Sequence, residues 1–160
     1  MKKVILIVCL FNFFFAVNGG AQGKKEIKKN GIKSVTITDN ENGKALNNKV
    51  TYFDKNGETI EENDYDKDGV LKTIRKYRLN KDGDVVEEEE HDAKTNSMEK
   101  HVYKYNSLGE RTEEEILDSN GKKIKTHYYT YNAKGLKTER KTVDAGGKVT
   151  SVRTYNYTFN

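Results

Sequence analysis

The residues best suited to bind a ligand are tyrosines that recur at fixed positions. One set recurs every 26 residues, and a second set lies two positions further along. Aromatic rings can stack on sugar rings or anchor a protein partner, but regularly placed strand aromatics also pack over neighbouring strands. Both interpretations stay open, a partly exposed aromatic strip or packing across a sheet. The candidate binding residues are Tyr77, Tyr103, Tyr105, Tyr129, Tyr131, Tyr155 and Tyr157.

Three aspartates are spaced like the first half of a calcium-binding loop. Asp64, Asp66 and Asp68 stand at alternate positions before a glycine, and such acidic oxygens can converge on a hard cation. The twelfth position of the loop normally holds a glutamate that binds with both oxygens, but here it is Arg75. Asp66 also occupies a position that elsewhere in the chain predicts a turn. A weak calcium site stays as the alternative to a turn, and no other cofactor is expected.

Two histidines have a spacing that could suggest acid–base or metal chemistry. His101 and His127 lie 26 residues apart, at a repeat position that holds Arg75 and Arg153 in other copies. Exchange between histidine and arginine favours a solvated polar contact over a ligand or a catalytic base. No serine stands in a nucleophile motif, and no carboxylate motif completes a site. We therefore predict a protein that is not an enzyme.

Two acidic runs, residues 87–90 and 113–115, could suggest a carboxylate cluster. Alternate residues of a strand point to opposite faces, so neither run makes one cluster. Neighbouring segments carry basic residues, which favours cross-strand ion pairs over a cation or substrate site. A glycosidase would also need a deep cleft, which a thin sheet does not offer.

A repeat of 26 residues accounts for most of these positions. Glycines recur in two columns, and nearly every one is preceded three residues earlier by Asp or Asn. Such a period indicates a repeat architecture, in which each unit buries apolar surface only against its neighbours. The first column is Gly31, Gly57, Gly83, Gly109 and Gly135, and the second is Gly43, Gly69, Thr95, Gly121 and Gly147.

The segments between these columns alternate between polar and apolar residues, which predicts strands. Asp and Asn side chains cap turns, and glycine accepts the positive φ that closes them. One repeat is then one hairpin, and five repeats predict an all-β antiparallel meander of about ten strands. We expect a thin, twisted or partly coiled sheet, and no segment has sustained helical spacing. The predicted aromatic strands are 70–79, 98–105, 122–131 and 148–159, and the acidic ones are 58–65, 84–91, 110–117 and 136–143.

Turn length sets the expected strand register. With four-residue loops, each tyrosine of the first set would face an apolar or β-branched residue, a pair worth roughly 0.2–1 kcal/mol. The glutamates that include Glu61, Glu87, Glu113 and Glu139 would lie on the opposite face. The predicted pairs are Tyr77 with Val86, Tyr103 with Thr112, and Tyr129 with Thr138.

The first residues form a predicted secretory leader. Two lysines precede an apolar run over residues 4–17, and Ala21 ends a stretch of small residues suited to cleavage. The run is shorter than the ~20 apolar residues of a membrane-spanning helix. We therefore predict a cleaved signal peptide over 1–21 and one repeat domain over 22–160, with no membrane span left after cleavage. The predicted location is the periplasm, the cell surface or the medium.

Composition narrows the classes of protein further. The one cysteine, Cys9, lies in the predicted leader, so neither a disulfide nor a thiolate metal site is expected in the mature chain. The net charge of +4 falls to about +2 without Lys2 and Lys3, and nucleic acid is not an expected partner. The low hydrophobicity could indicate disorder, but ten tyrosines and regular turns favour a folded sheet.

At residues 103–109 (YKYNSLG) and 129–135 (YTYNAKG) the chain resembles the Y-x-Y-[DN]-x-x-G signature of the YD-repeat, or RHS-repeat, family. Residues 77–83 (YRLNKDG) are a weaker copy, and a fourth begins at Tyr155. The resemblance implies a bacterial secreted or surface protein, because members of this family form shells around toxin domains or adhesive surfaces. This chain has longer and fewer units, and no cargo domain follows them, so a closed toxin shell is not expected.

Two functional classes follow from these patterns. The first is an exported, non-enzymatic repeat module that binds or scaffolds a cell-surface glycan or protein. The second is a structural protein that self-associates through open sheet edges by strand addition. A weak calcium-binding repeat protein is a further alternative.

Overall fold

The computed structural model describes residues 21–41 and 43–159. In that part of the chain, one helix precedes ten strands that pair in chain order into one antiparallel sheet. The predicted all-β meander is therefore confirmed, and the sheet is not closed into a barrel. The elements are α1 (Ala21–Asn30), β1 (Ser34–Glu41), β2 (Lys44–Phe53), β3 (Thr59–Tyr65), β4 (Leu71–Leu79), β5 (Val85–Asp92), β6 (Ser97–Tyr105), β7 (Arg111–Leu117), β8 (Lys123–Tyr131), β9 (Lys137–Asp144) and β10 (Val149–Thr154).

The last predicted strand is longer than the strand observed. The pattern predicts residues 148–159, whereas β10 ends at Thr154. The main-chain N of Tyr155 still donates to the Thr138 carbonyl at 3.0 Å. No strand in the described part of the chain lies on the outer side of β10, so nothing holds the following residues extended on that side.

Helix α1 was not predicted. Its sequence is rich in lysine, and Ile27 is its one large apolar side chain, so it carries no apolar stripe that a periodicity search could find. Gly31 ends the helix: its N donates to Lys28 and the N of Ile32 donates to Ile27, the two bonds of a Schellman motif. The first glycine of the repeat column is therefore a helix cap and not a hairpin turn.

No helix within 21–41 and 43–159 is long and apolar enough to span a membrane.

The predicted leader lies outside the described residues except for Ala21, which is the first residue of α1. The helix rests on the turn between β2 and β3. A Cβ built on Gly57 would lie 2.6 Å from the Lys24 carbonyl oxygen, and the Lys24 ammonium binds Glu58. Helix α1 therefore covers the turn between β2 and β3, a contact that the strands themselves do not provide.

The turns follow the predicted chemistry but are longer than predicted. In the turn after β4, Asn80 accepts main-chain N–H bonds from Asp82 and Asp84, and Gly83 has a φ of 90°. The loop spans five residues, and a β-bulge at Val86 follows it. The predicted register is therefore wrong by two residues. Because side chains alternate, a shift of two keeps each residue on its face while changing its partner. The observed pairs are Tyr77 with Glu88, Tyr103 with Glu114, and Tyr129 with Arg140.

One turn departs from the glycine column. Between β5 and β6 the positive φ of 54° falls on Asn96, one residue after Thr95, and asparagine tolerates this region better than most side chains. The carboxylate of Asp92 accepts the main-chain N–H groups of Lys94 and Thr95. Strands β5 and β6 then pair without a bulge.

The apolar core is divided between the two faces of a single layer. We call the face that carries Tyr103 and Tyr129 the tyrosine face. These residues and Ile116 are only 6%, 9% and 3% exposed there, whereas Val50 and Thr126 are buried on the opposite face. Among the described residues no side chain is completely enclosed. Strand pairing and polar contacts therefore hold much of this sheet together.

Candidate functional site

Tyrosine hydroxyls on the tyrosine face donate to glutamates on the preceding strand. Glu88 lies opposite His101, so Tyr103, two residues further along β6, reaches it on the diagonal. The geometry recurs in three successive hairpins. The three bonds are Tyr77 Oη to Glu62 (3.0 Å), Tyr103 Oη to Glu88 (2.7 Å) and Tyr129 Oη to Glu114.

The second set of tyrosines binds the main chain. Each hydroxyl donates to the carbonyl oxygen of the first residue in the preceding strand, so each tyrosine reaches the start of that neighbouring strand. The last of the three lies beyond the end of β10 and still makes the same contact. The bonds run from Tyr105 to Val85, from Tyr131 to Arg111 and from Tyr157 to Lys137, each at 2.7 Å.

Cationic side chains cover several of these rings. The Arg111 guanidinium carbon lies 3.7 Å from the centre of the Tyr103 ring, and the Lys137 ammonium lies 4.2 Å from that of Tyr129. A cation over an aromatic face is stabilised by the ring quadrupole. The inner part of the predicted aromatic strip is therefore occupied by the protein itself.

Only the C-terminal end of the strip is open. Tyr157 is 44% exposed and Phe159 is 62% exposed, while Tyr131 and Tyr155 are half-buried. We call these four residues the C-terminal aromatic patch. The Lys134 ammonium lies 4.4 Å from the Phe159 ring centre, at the turn between β8 and β9. Of the seven predicted tyrosines, the structure buries Tyr103 and Tyr129 and exposes Tyr157, and the other four are half-buried.

Hydrogen bonding controls the charge of the buried network. Burial alone would raise the pKa of Glu114, but bonds from His101 and Tyr129 outweigh it and lower that pKa to about 2. Burial raises the pKa of Tyr103 and of Tyr129 above the usual range of tyrosine, and the nearby glutamates raise both further. These hydroxyls therefore remain protonated donors, and that of Tyr129 is paired with an ionised Glu114.

The two histidines occupy equivalent positions with different partners. His101 Nδ1 lies 2.9 Å from Glu114, and this bond raises the pKa of His101. His127 Nδ1 lies 2.9 Å from the Thr142 hydroxyl, and burial lowers the pKa of His127. The sequence predicted polar contacts here, and the structure shows polar contacts within the sheet.

The calcium candidates serve other contacts. The Asp66 carboxylate accepts main-chain N–H bonds from Asp68 and Val70 at 2.9 Å, which closes the turn. Asp64 binds the Arg75 guanidinium at 2.6 Å. In the described part of the chain no group of three or more His, Cys, Asp or Glu side chains is arranged to hold a metal ion.

The acidic runs form cross-strand ion pairs, as their sequence context predicted. Bonds from Arg78 and Lys100 lower the pKa of Glu87 to about 2. Of the basic residues that the sequence placed near the second run, Lys123 binds Glu115 at 2.6 Å. These pairs lie on the face opposite the tyrosines and link the strands there.

An open groove of about 830 Å³ lies between α1 and the turn after β4. Lys24, Lys28 and Lys81 line it together with Asp54 and Glu58. Charges of both signs are mixed along its walls, so it has no single electrostatic preference.

Sequence reasoning missed two arginines at the C-terminal end of the tyrosine face. Arg140 and Arg153 stand directly opposite each other on β9 and β10. The repeat contained a signal for them: the column of Glu62, Glu88 and Glu114 changes to arginine at position 140.

Neither models of known protein families nor curated proteins match this chain.

Proposed function

We propose that this chain is the non-enzymatic binding module of an exported repeat protein, and that a cell-surface glycan docks on its C-terminal aromatic patch. The observation that carries the proposal is the exposure of Tyr157 and Phe159 beside half-buried Tyr131 and Tyr155. Sugar rings present apolar faces that stack on such aromatic side chains, while their hydroxyls need polar neighbours.

The patch offers both kinds of contact. Lys134 lies against Phe159, and Lys137 lies between Tyr129 and Tyr155, at 4.2 and 5.9 Å from the ring centres. Their ammonium groups can donate to sugar hydroxyls at the edge of the rings. The hydroxyls of the inner tyrosines are already bound to glutamates or to main-chain oxygens. These residues therefore stabilise the sheet next to the patch.

The arguments for export and for a role like that of the YD-repeat family come from the sequence. The leader predicted over 1–21 supports a location outside the cytoplasm, where surface glycans are the accessible polymers. The Y-x-Y-[DN]-x-x-G copies support a YD-repeat-like module, for which adhesion or scaffolding is the role that the resemblance implies. The single-layered sheet supports a binding role over a catalytic one because a thin layer provides little enclosure for a reaction.

Affinity electrophoresis tests the proposal. Native gels cast with a neutral β-glucan or with polygalacturonate should retard the wild-type chain in at least one gel. The double change Tyr157→Ser and Phe159→Ser should abolish the retardation with only a small fall in melting temperature, because both side chains are exposed although the Tyr157 bond to Lys137 is lost.

Tyr52→Ser is the matched control, since Tyr52 is 37% exposed on the opposite face at the other end of the sheet. It should leave the retardation unchanged. Equal loss of retardation with Tyr52→Ser, or no retardation in any gel, would contradict the proposal.

A second candidate function is self-association through the sheet edges. Within residues 21–41 and 43–159, strands β1 and β10 each pair on one side only, and every residue of β10 is exposed. The two end strands run antiparallel to each other because the sheet has an even number of alternating strands. Strand β10 of one copy could therefore continue the meander by pairing with β1 of the next, a head-to-tail arrangement that extends without closing.

Val152→Pro tests this candidate. Tyr155 donates to β9, so Arg153 also directs its main-chain N inward and Val152 directs its own outward. Proline at 152 removes an outward donor while keeping the bonds to β9. If edges associate, wild type should show concentration-dependent sedimentation and the variant should remain monomeric. Wild type that is monomeric at all concentrations would contradict this candidate.

A further inference from the structure

One cross-strand position on the tyrosine face changes character at the end of the array. In three successive hairpins a glutamate stands directly opposite an arginine or histidine. In the last hairpin an arginine stands opposite an arginine. The four pairs are Glu62 with Arg75, Glu88 with His101, Glu114 with His127, and Arg140 with Arg153.

This last pair lacks the carboxylate that the others contain. Like charges directly opposite in a sheet destabilise it. The Nε of Arg140 is buried and has no hydrogen-bond partner, and within the described residues neither arginine forms an ion pair. A buried donor without an acceptor costs roughly 1–3 kcal/mol, more when it is charged. The position is therefore suited to receive an anionic acceptor from outside the sheet.

The surroundings keep the position positively charged. Asp144, four residues further along β9, stands opposite Lys125. Burial lowers the pKa of His127, the charge of Glu114 opposes this shift, and the charges of Arg140 and Lys125 lower the pKa further. On this face Thr142 follows Arg140 by two residues on β9 and Tyr129 stands directly opposite it on β8, and neither carries a negative charge.

The arginine pair adjoins the C-terminal aromatic patch. Tyr129 lies opposite Arg140, and Tyr155 follows Arg153 by two residues on the same side of the chain. A ligand stacked on the patch can therefore place a substituent between the two guanidinium groups. Guanidinium groups bind carboxylates through two parallel hydrogen bonds, a geometric specificity that a lysine ammonium lacks. Arg140 is half-buried and Arg153 is exposed.

We propose that Arg140 and Arg153 form a carboxylate-binding site, so that the glycan taken by the C-terminal aromatic patch is an acidic one with uronic acid units. This inference rests on the proposed glycan-binding function. It adds the chemical class of the ligand and assigns the recognition of its carboxylate to these two residues.

Arginine Nε–Hε NMR provides the test, with a short oligogalacturonate as probe and its carboxyl-reduced form as the neutral control at about 0.15 M salt. The Arg140 Hε signal should move downfield with the acid and not with the reduced form. Arg153→Gln should weaken binding of the acid at least about tenfold, because a charge-assisted bond is lost. Arg153→Lys should restore part of the affinity, since lysine keeps the charge but not the fork.

Arg78→Gln is the matched control, because it removes one exposed arginine charge on the opposite face. It should change the affinity less than about twofold, since its charge is distant and screened. An equal loss with Arg78→Gln would show a non-specific charge effect and overturn the inference. Polyglutamate that binds as tightly as the oligogalacturonate would overturn the glycan assignment in favour of a general polyanion site.

The neutral probe separates the two proposals. If the carboxyl-reduced glycan binds as tightly as the acid, and Tyr157→Ser with Phe159→Ser abolishes both, the glycan function stands and the carboxylate site is wrong. If neither glycan perturbs any arginine or patch resonance, both proposals are wrong.

Discussion

At the scale of single residues, the tyrosine–glutamate bonds decide what the tyrosine face can do. A buried tyrosine needs a partner for its hydroxyl, and a half-buried carboxylate needs donors, so each bond satisfies two groups at once. Tyr103 and Glu88 show this most directly, at 2.7 Å. The same bonds engage the hydroxyls of Tyr77, Tyr103 and Tyr129 within the sheet. Tyr157 remains 44% exposed although its hydroxyl binds the main chain.

Tyr103→Phe should destabilise the sheet by about 1 kcal/mol, because the ring still packs but Glu88 loses a donor. Urea unfolding measures the change. Tyr128→Phe is the control: Tyr128 is 39% exposed, and among the described residues its hydroxyl has no hydrogen bond, so the free energy of unfolding should not change. Equal effects of both changes would show that the bond to Glu88 contributes nothing.

The bond between His101 and Glu114 should make stability depend on pH. The folded pKa of His101 is raised above 6.5, so its contribution is present below pH 6.5 and is lost as pH rises through the folded value. The folded pKa of Glu114 is lowered from 4.5 to about 2, so its contribution is present above pH 4.5 and is lost as pH falls towards 2. The pair should therefore stabilise the fold most between these two limits.

Urea unfolding from pH 5.5 to 8.5 measures this contribution. His101→Gln should destabilise most at pH 5.5 and least at pH 8.5. His127→Gln should show the opposite trend, because the folded pKa of His127 lies below 6.5 and the fold favours its neutral form. A His101→Gln effect that is equal across this range would contradict the role assigned to the Glu114 bond.

At the scale of elements, turns set the register and α1 covers one of them. In each five-residue turn the fourth residue is a glycine with positive φ, and the bulge after the turn adds the residue that shifts the strand partners. The turn at Gly57 differs from the others because the Lys24 carbonyl oxygen approaches it closely. The glycine there is needed both for its φ of 81° and for the space it leaves to the helix.

Gly57→Ala should destabilise the protein by at least about 1 kcal/mol more than Gly109→Ala. Both glycines have a similar positive φ, but a Cβ at Gly109 would meet no atom within 4 Å. The difference between the two variants therefore isolates the contact with α1. Thermal unfolding measures both changes, and equal melting temperatures would show that the helix does not depend on this contact.

At the scale of the whole molecule, contacts between elements are local. In the described part of the chain, every substantial contact between elements joins strands that are consecutive in sequence. Stability should therefore be close to a sum of hairpin terms and nearest-neighbour terms. An open array of this kind tolerates a change in length but not a change in strand order.

Deletion of residues 80–105 removes one unit of the predicted 26-residue repeat, β5 and β6 together, and should leave a cooperatively folded sheet with a smaller urea m-value. Deletion of residues 80–92 removes β5 alone and brings the basic strands β4 and β6 side by side. The half-unit deletion should be far less stable, because it removes the acidic partners of both strands. Circular dichroism and urea unfolding measure the stability of both variants. Equal stability would contradict the prediction that two strands together form the repeat unit.

Much of this fold could be predicted because its signals are local. Period-two alternation located β3 to β9 within one or two residues, and Asx and glycine positions located most of the turns. Helix α1 was missed because its packing surface is one isoleucine, and Asn96 was missed because an asparagine can replace a glycine at positive φ. Burial of Tyr103 and Tyr129 could not be predicted, since it depends on what the neighbouring strands place over each ring.

The sequence by itself determined which segments form strands, where the chain turns and which residues share a face, because these depend on local conformation and on a period of two. Only the tertiary structure decided which residues stand opposite each other. In the hairpins with five-residue loops, a loop one residue longer than expected and a bulge left the faces unchanged and replaced the cross-strand partners. That shift brings tyrosines to glutamates along the inner strands and brings Arg140 to Arg153 at the end, where the candidate site lies.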